Sequence, residues 1–175
     1  MNEVLKVLKE RRSIRAFRPE PLKKEDLDAI VEAGLYAPSA KNLQSTKLVV
    51  VRDAAVLARL ERLNSRILGT PEGTPFYGAP TVIVVLADTA VASTVWRQDG
   101  SLVMGNLMNA AAALGIGSCW INRAMETFEL PEGKVLLAEW GLGENWKGVG
   151  NCILGYTDQA VLGDKARKED RVLYV

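Results

Sequence analysis

Two short stretches near the N-terminus hold the residue types best suited to chemistry. Arg11-Arg12-Ser13-Ile14-Arg15 sets three guanidiniums and a hydroxyl within five residues. A guanidinium is a planar fork of donors that matches phosphate oxygens, and such charge-assisted bonds are the strong ones. About one helix later, Ala37-Pro38-Ser39-Ala40-Lys41-Asn42-Leu43-Gln44 puts an Asn and a Gln two positions apart in a Pro-Ser loop. Their carboxamides offer donors and acceptors to the edge of a heterocycle. A ligand with a phosphate at one end and an amide-rich ring at the other would satisfy both stretches.

Each stretch also has a plainer explanation. Cations are favoured at a helix C-terminus, so the arginines are equally compatible with a solvated helix end. Pro38 stops a helix, and Ser39 and Asn42 are turn formers that bond their own backbone. A third stretch, Gly115-Ile116-Gly117-Ser118-Cys119-Trp120-Ile121-Asn122, reads as a strand entered through glycines, with Trp120 as a core residue. A second basic cluster, Lys165-Ala166-Arg167-Lys168, lies near the other end of the chain. It makes a cationic pocket only if it meets the first cluster in space.

The rest of the composition narrows the choices. With 175 residues the chain fits one domain over 1–175, and a net charge of +1 gives no field to attract nucleic acid or an anionic membrane. The apolar runs are far shorter than the ~20 residues of a membrane span, and the first residues lack the apolar core of a signal peptide. There is no histidine, which removes Ser-His-Asp and Cys-His catalysis and any His-ligated metal, so no metal site is expected. Cys119 and Cys152 have no metal spacing; they read as core thiols in a reduced, cytoplasmic protein. Whatever chemistry occurs must rely on something bound.

Elements must position these residues. Apolar spacing predicts a helical stripe at Val4, Leu5 and Leu8, then helices over 25–35, 54–68, 92–114 and 132–140. Short β-branched runs predict strands over 47–51, 81–86, 118–121 and 147–154, with a mobile Gly/Pro/Thr-rich loop over 69–80. The half 102–114 is apolar on nearly every face, as in a helix central to a core or shared between subunits. The apolar end Val172-Leu173-Tyr174-Val175 would seek a sheet edge, its own or a partner's. The fold class is α+β, a mixed sheet packed between helices.

Taken in order, Arg11 to Phe17, Ala37 to Gln44, Gly115 to Ile121, Leu154-Gly155-Tyr156 and the basic tail resemble the nitroreductase-like family of FMN-dependent oxidoreductases, in particular its short members. The resemblance implies an intertwined homodimer with FMN at the subunit interface. It places Arg11 and Ser13 on the phosphate with Lys165 and Arg167, and gives Arg12 backbone and ribityl contacts. Arg15 would sit by the pyrimidine end of the flavin. Pro38, Ser39, Asn42 and Gln44 would reach the partner's flavin, and Trp120, Ile121 and Asn122 would pass its N5. No side chain is implied as catalytic. The implied activity is ping-pong hydride transfer from NADH or NADPH to nitroaromatics, quinones or similar small acceptors. Dehalogenation, flavin fragmentation and non-catalytic FMN binding are the alternatives. Larger family members supply an Asn to the flavin from the segment before the second strand. Residues 69–77 hold no clear counterpart, and Asn64 is left unassigned.

Overall fold

The computed structural model describes residues 2–160, 163 and 166–175. In chain order the elements are α1 (Glu3–Glu10), α2 (Lys24–Leu35), a 3-10 turn (Ala40–Asn42), β1 (Thr46–Val51), α3 (Ala54–Leu68), β2 (Thr81–Asp88), α4 (Trp96–Ala113), β3 (Gly117–Ile121), α5 (Ala124–Glu129), α6 (Pro131–Glu139) and β4 (Trp146–Gly155).

The sheet runs β1-β2-β4-β3, and its two faces carry separate cores. On one face Ile83, Val85 and Cys152 meet Ile30 of α2 with Met104 and Leu107 of α4. On the other, Val82, Val84 and Ile153 meet Leu60 and Leu63 of α3, Phe128 of α5 and Leu136 of α6. Because successive residues of a strand point to opposite faces, a strand covered on both sides must be apolar at every position. That is why Thr81–Asp88 is buried from end to end until Asp88.

The mixed sheet expected above is antiparallel instead: all three ladders, β1–β2, β2–β4 and β3–β4, run that way. The only parallel pairing found among the described residues is the single bridge between Ser13 and Ser118. Helix α3 has the predicted bounds, since Asp53 caps it by accepting from the N–H groups of Ala55 and Val56 and Gly69 ends it at φ 79°. Helix α4 starts later than 92. Asp88 Oδ1 accepts from Ala90 N–H (2.8 Å) and from Asn145 Nδ2 (2.7 Å), so residues after β2 serve that turn first. The short α5 was not anticipated. Nor is 69–80 a loose loop: Ser65 Oγ donates to Gly73 O (3.0 Å), Glu61 Oε1 accepts from Phe76 N–H (2.8 Å), and Phe76 is buried.

Helix α1 differs from the rest in burying nothing. Its Val4, Leu5 and Leu8 are all more than half exposed. Val4 and Leu8 face a groove of about 410 Å³ that also runs along Ala110 and Ala113 of α4.

Cys119 and Cys152 are both free and buried, on opposite faces of the sheet. Burial, then the neighbouring Cys119, push the Cys152 thiol from 9.0 up to about 12, against a smaller pull downward from Arg11. The unfolded chain therefore loses this proton first as pH rises, and the stability tied to it is lost between pH 9 and about 12. Urea denaturation at pH 8 and pH 10 should show a steeper loss in the native sequence than in Cys152→Ala. The native protein should leave Cys152 unreactive to a thiol reagent at pH 8.

Candidate functional site

Helix α1 ends at Arg11, whose backbone turns to φ −51°, ψ 132°. The extended chain beyond it runs along the free edge of β3. Ile14 N–H donates to Ser118 O (2.9 Å), and farther on Arg18 N–H donates to Tyr156 O (2.8 Å). The segment after β4 closes the other side: Thr157 Oγ1 donates to Ala16 O (2.7 Å), and Gln159 Oε1 accepts from Arg15 N–H (2.9 Å).

Between α1, α4 and the start of β3 lies a cleft of about 480 Å³, lined by Arg11, Arg12, Gly117, Thr157 and Gly163 among others. Among the described residues, Arg11 Nη1 is buried with no hydrogen-bond partner; Ser118 Oγ, on β3 outside the cleft lining, is likewise unpartnered. A buried, unpartnered cationic donor is costly, and a phosphate oxygen placed there would satisfy it. Arg12 is committed locally, its Nη1 donating to Lys9 O (2.6 Å) and Arg11 O (2.9 Å). Ser13 is half-buried at the bridge to Ser118, and Arg15 is exposed.

The far end of β3 forms a second cleft, of about 370 Å³, lined by Trp120, Asn122, Arg97, Ser101, Met125 and Gly148 among others. Trp120 lies over Gly150, where a Cβ would stand 2.5 Å from the indole Nε1. Ile121 points to the opposite core. Arg97 sits 4.4 Å over the Trp96 ring and donates to Met125 Sδ (3.0 Å). From Gly117 to Asn122 is five strand steps, roughly 17 Å at about 3.3 Å each. One strand thus spans the distance between the two clefts.

The Pro38 loop is strained. Lys41, Asn42 and Gln44 all take positive φ, at 49°, 55° and 49°, conformations that cost non-glycine residues about 1 kcal/mol or more each. The loop persists because it is tied down. Ala40 N–H donates to Asp99 Oδ1, Gln44 N–H to Ser39 Oγ, and Gln44 Nε2 to Asn42 Oδ1, each at 3.0 Å. Asp99, on α4, is buried, and its other oxygen has no partner. Pro38, Ser39, Asn42 and Gln44 line neither cleft of their own chain.

The tail does not complete the first cleft as a unit. Gly163 lines it, but Arg167 lines a separate hollow with Lys168, Asp170, Arg171 and Val172. Lys165 lies outside the described residues.

Asn64, left unassigned above, and Asp99, not singled out by the sequence, both support the clefts' surroundings without lining them. Each is a polar residue buried on a helix. For Asn64 a signal existed: it falls four residues after Leu60 and one after Leu63, inside the apolar stripe of α3, where a carboxamide needs partners.

The chain matches the nitroreductase family over residues 8–76 and 69–156. A protein of Archaeoglobus fulgidus named for NADH dehydrogenase and NAD(P)H nitroreductase activity is 36% identical over 124 residues, which cover 69% of this chain and 68% of that one. An FMN reductase [NAD(P)H] of Bacillus subtilis is 29% identical, with 75% of this chain and 61% of its own length aligned. Among solved structures, a nitroreductase with bound FMN from Bacteroides fragilis superimposes with a TM-score of 0.89 at 34% identity, covering 100% of both chains. Another with bound FMN, from Desulfitobacterium hafniense, gives 0.88 at 27% identity, covering 100% of this chain and 99% of that one. With its two clefts strung along β3 and its sequence aligned from Leu8 to Tyr156, the chain belongs to the nitroreductase family.

Proposed function

We propose that this protein is an FMN-dependent NAD(P)H oxidoreductase that works as a homodimer, reducing nitroaromatics, quinones or related small acceptors. The observation that carries the reading is the buried Arg11 Nη1 without a partner, one strand's length from the cleft at Trp120 and Asn122. Arg11 and Ser13 would hold the phosphate, with Lys165 and Arg167 brought in from the tail and Arg12 bracing the backbone. Arg15 would face the pyrimidine end, where a cation favours the anionic reduced ring. Trp120, Ile121 and Asn122 would wall the redox edge. FMN, when held by these residues, would supply the redox chemistry between NADH or NADPH and the acceptor, in a ping-pong exchange at one cleft. The chain's own part is to bind and orient, which accounts for a site without histidine.

The second subunit enters through three features. The strained Pro38 loop lines no cleft of its own chain, which suits residues that complete the partner's site. The apolar face of α1 is exposed. At the end of the tail Val172, Leu173, Tyr174 and Val175 are all more than two-thirds exposed, a segment suited to the sheet edge of a second copy.

Mixing the yellow holoprotein with NADH or NADPH under argon tests the activity. Bleaching of the flavin band is expected, and a persistent yellow colour would assign the protein to binding alone. Arg11→Ala should weaken FMN binding by about 1.5–3 kcal/mol, roughly 10- to 150-fold, read by flavin fluorescence quenching. Unchanged affinity would refute the phosphate role. Deleting residues 172–175 should convert the dimer to monomer in sedimentation and weaken FMN binding. A dimer that survives the deletion would show that the apolar tail is dispensable.

A further inference from the structure

Asn64 is fully buried on α3 and lines neither cleft. Its carboxamide reaches the turn by which β3 passes into α5. Nδ2 donates to Asn122 O at 2.8 Å, and Oδ1 accepts from Arg123 Nε at 3.1 Å. One side chain therefore grips two consecutive residues, with a donor on the first and an acceptor on the second.

The gripped turn is unusual. Arg123 stands at φ 73°, ψ 13°, left-handed without being glycine, and α5 begins on it with no side-chain cap. Asn122, one peptide earlier, is exposed and forms part of the cleft wall beside Trp120. Water could serve the partners instead, since Asn122 is exposed and Arg123 only half-buried. Burying an amide completely for groups that solvent can reach adds little to stability over an apolar residue of equal size. What the arrangement adds is position: it holds residue 123 in a conformation an arginine would otherwise leave.

We propose that Asn64 is a positioning residue for the flavin. By locking Arg123 left-handed it fixes the Asn122 backbone at the redox edge of the cleft, and so sets the affinity and reduction potential of the bound cofactor. The proposal rests on the FMN reading above.

The test compares wild type, Asn64→Ala, Arg123→Gly and the double variant as holoproteins, reading FMN affinity by fluorescence quenching, flavin potential against reference dyes, and Tm. Asn64→Ala is expected to weaken FMN tenfold or more and to shift the potential. Arg123→Gly, which adopts positive φ without strain, should stay within about twofold of wild type, and the double variant should recover most of the loss. Where Asn64→Ala fails to fold, Asn64→Asp keeps the volume and the acceptor for Arg123 but loses the donor to Asn122 O, and the same shifts are expected. A variant of Asn64 with lowered Tm but unchanged affinity and potential would overturn the proposal, and so would a double variant that shows no recovery. Failure of the wild type itself to take up FMN would instead overturn the reading beneath it, and this proposal with it.

Discussion

A guanidinium nitrogen removed from water without a hydrogen-bond partner is destabilising by at least about 1–3 kcal/mol, more when its charge counts. Arg11 Nη1 is held in that state. The fold holds it there because α1 must stop at Arg11 for the next residues to extend along β3, where Ile14 N–H meets Ser118 O. An edge strand needs something to cover its open hydrogen-bonding groups. Ser13 and Ile14 do this for β3 at Ser118, and doing so brings the arginine cluster against the glycines that begin the strand. The cleft is thus a by-product of closing the sheet edge, and its chemistry follows from which side chains happen to ride on the closing segment.

Helix α4 serves two sites with two faces. Arg97 and Ser101 are four residues apart and so share one face, which lines the cleft at Trp120. Asp99 lies nearly opposite them and takes the amide of Ala40, anchoring the Pro38 loop. Any shift of this helix therefore moves a cleft wall and the strained loop together. Gly100 keeps the helix against β4, since a Cβ there would come within 2.4 Å of Val149.

Much of the scaffold was legible because local signals agreed. The bounds of α3 follow from Asp53, the Leu60–Leu63 stripe and Gly69, three signals pointing the same way. Strand β2 announced itself as an unbroken apolar run. The antiparallel order was not legible, since strand direction is decided by connections across the sheet and leaves the residue pattern of a doubly covered strand unchanged. Helix α5 was hidden by its length of six residues and by its left-handed start at Arg123, which no sequence rule assigns to an arginine. The Arg11 cluster was readable from residue type as suited to an anion, whereas Trp120–Asn122 read from its residues as a core strand and entered only through the family resemblance. Asn64 stood out only as a polar residue inside the apolar stripe of α3; the groups it joins were not legible, because they lie 58 and 59 positions away along the chain.

These observations bear on how such a site does redox work with few reactive side chains. The sequence has no histidine, and burial keeps the Cys152 thiol protonated until about pH 12. The two clefts are lined by guanidinium, carboxamide, indole, glycine backbone and aliphatic side chains, with Glu10 in the first and Glu126 in the second. Guanidinium, carboxamide and indole bind and orient; they do not shuttle protons at neutral pH. The rate and direction of electron transfer must then be set by where a bound ring is held and by the charge around it. That makes backbone placement the controlled variable. It is consistent that positive-φ residues gather at the Pro38 loop and at Arg123, and that buried Asp99 and Asn64 are the side chains holding them.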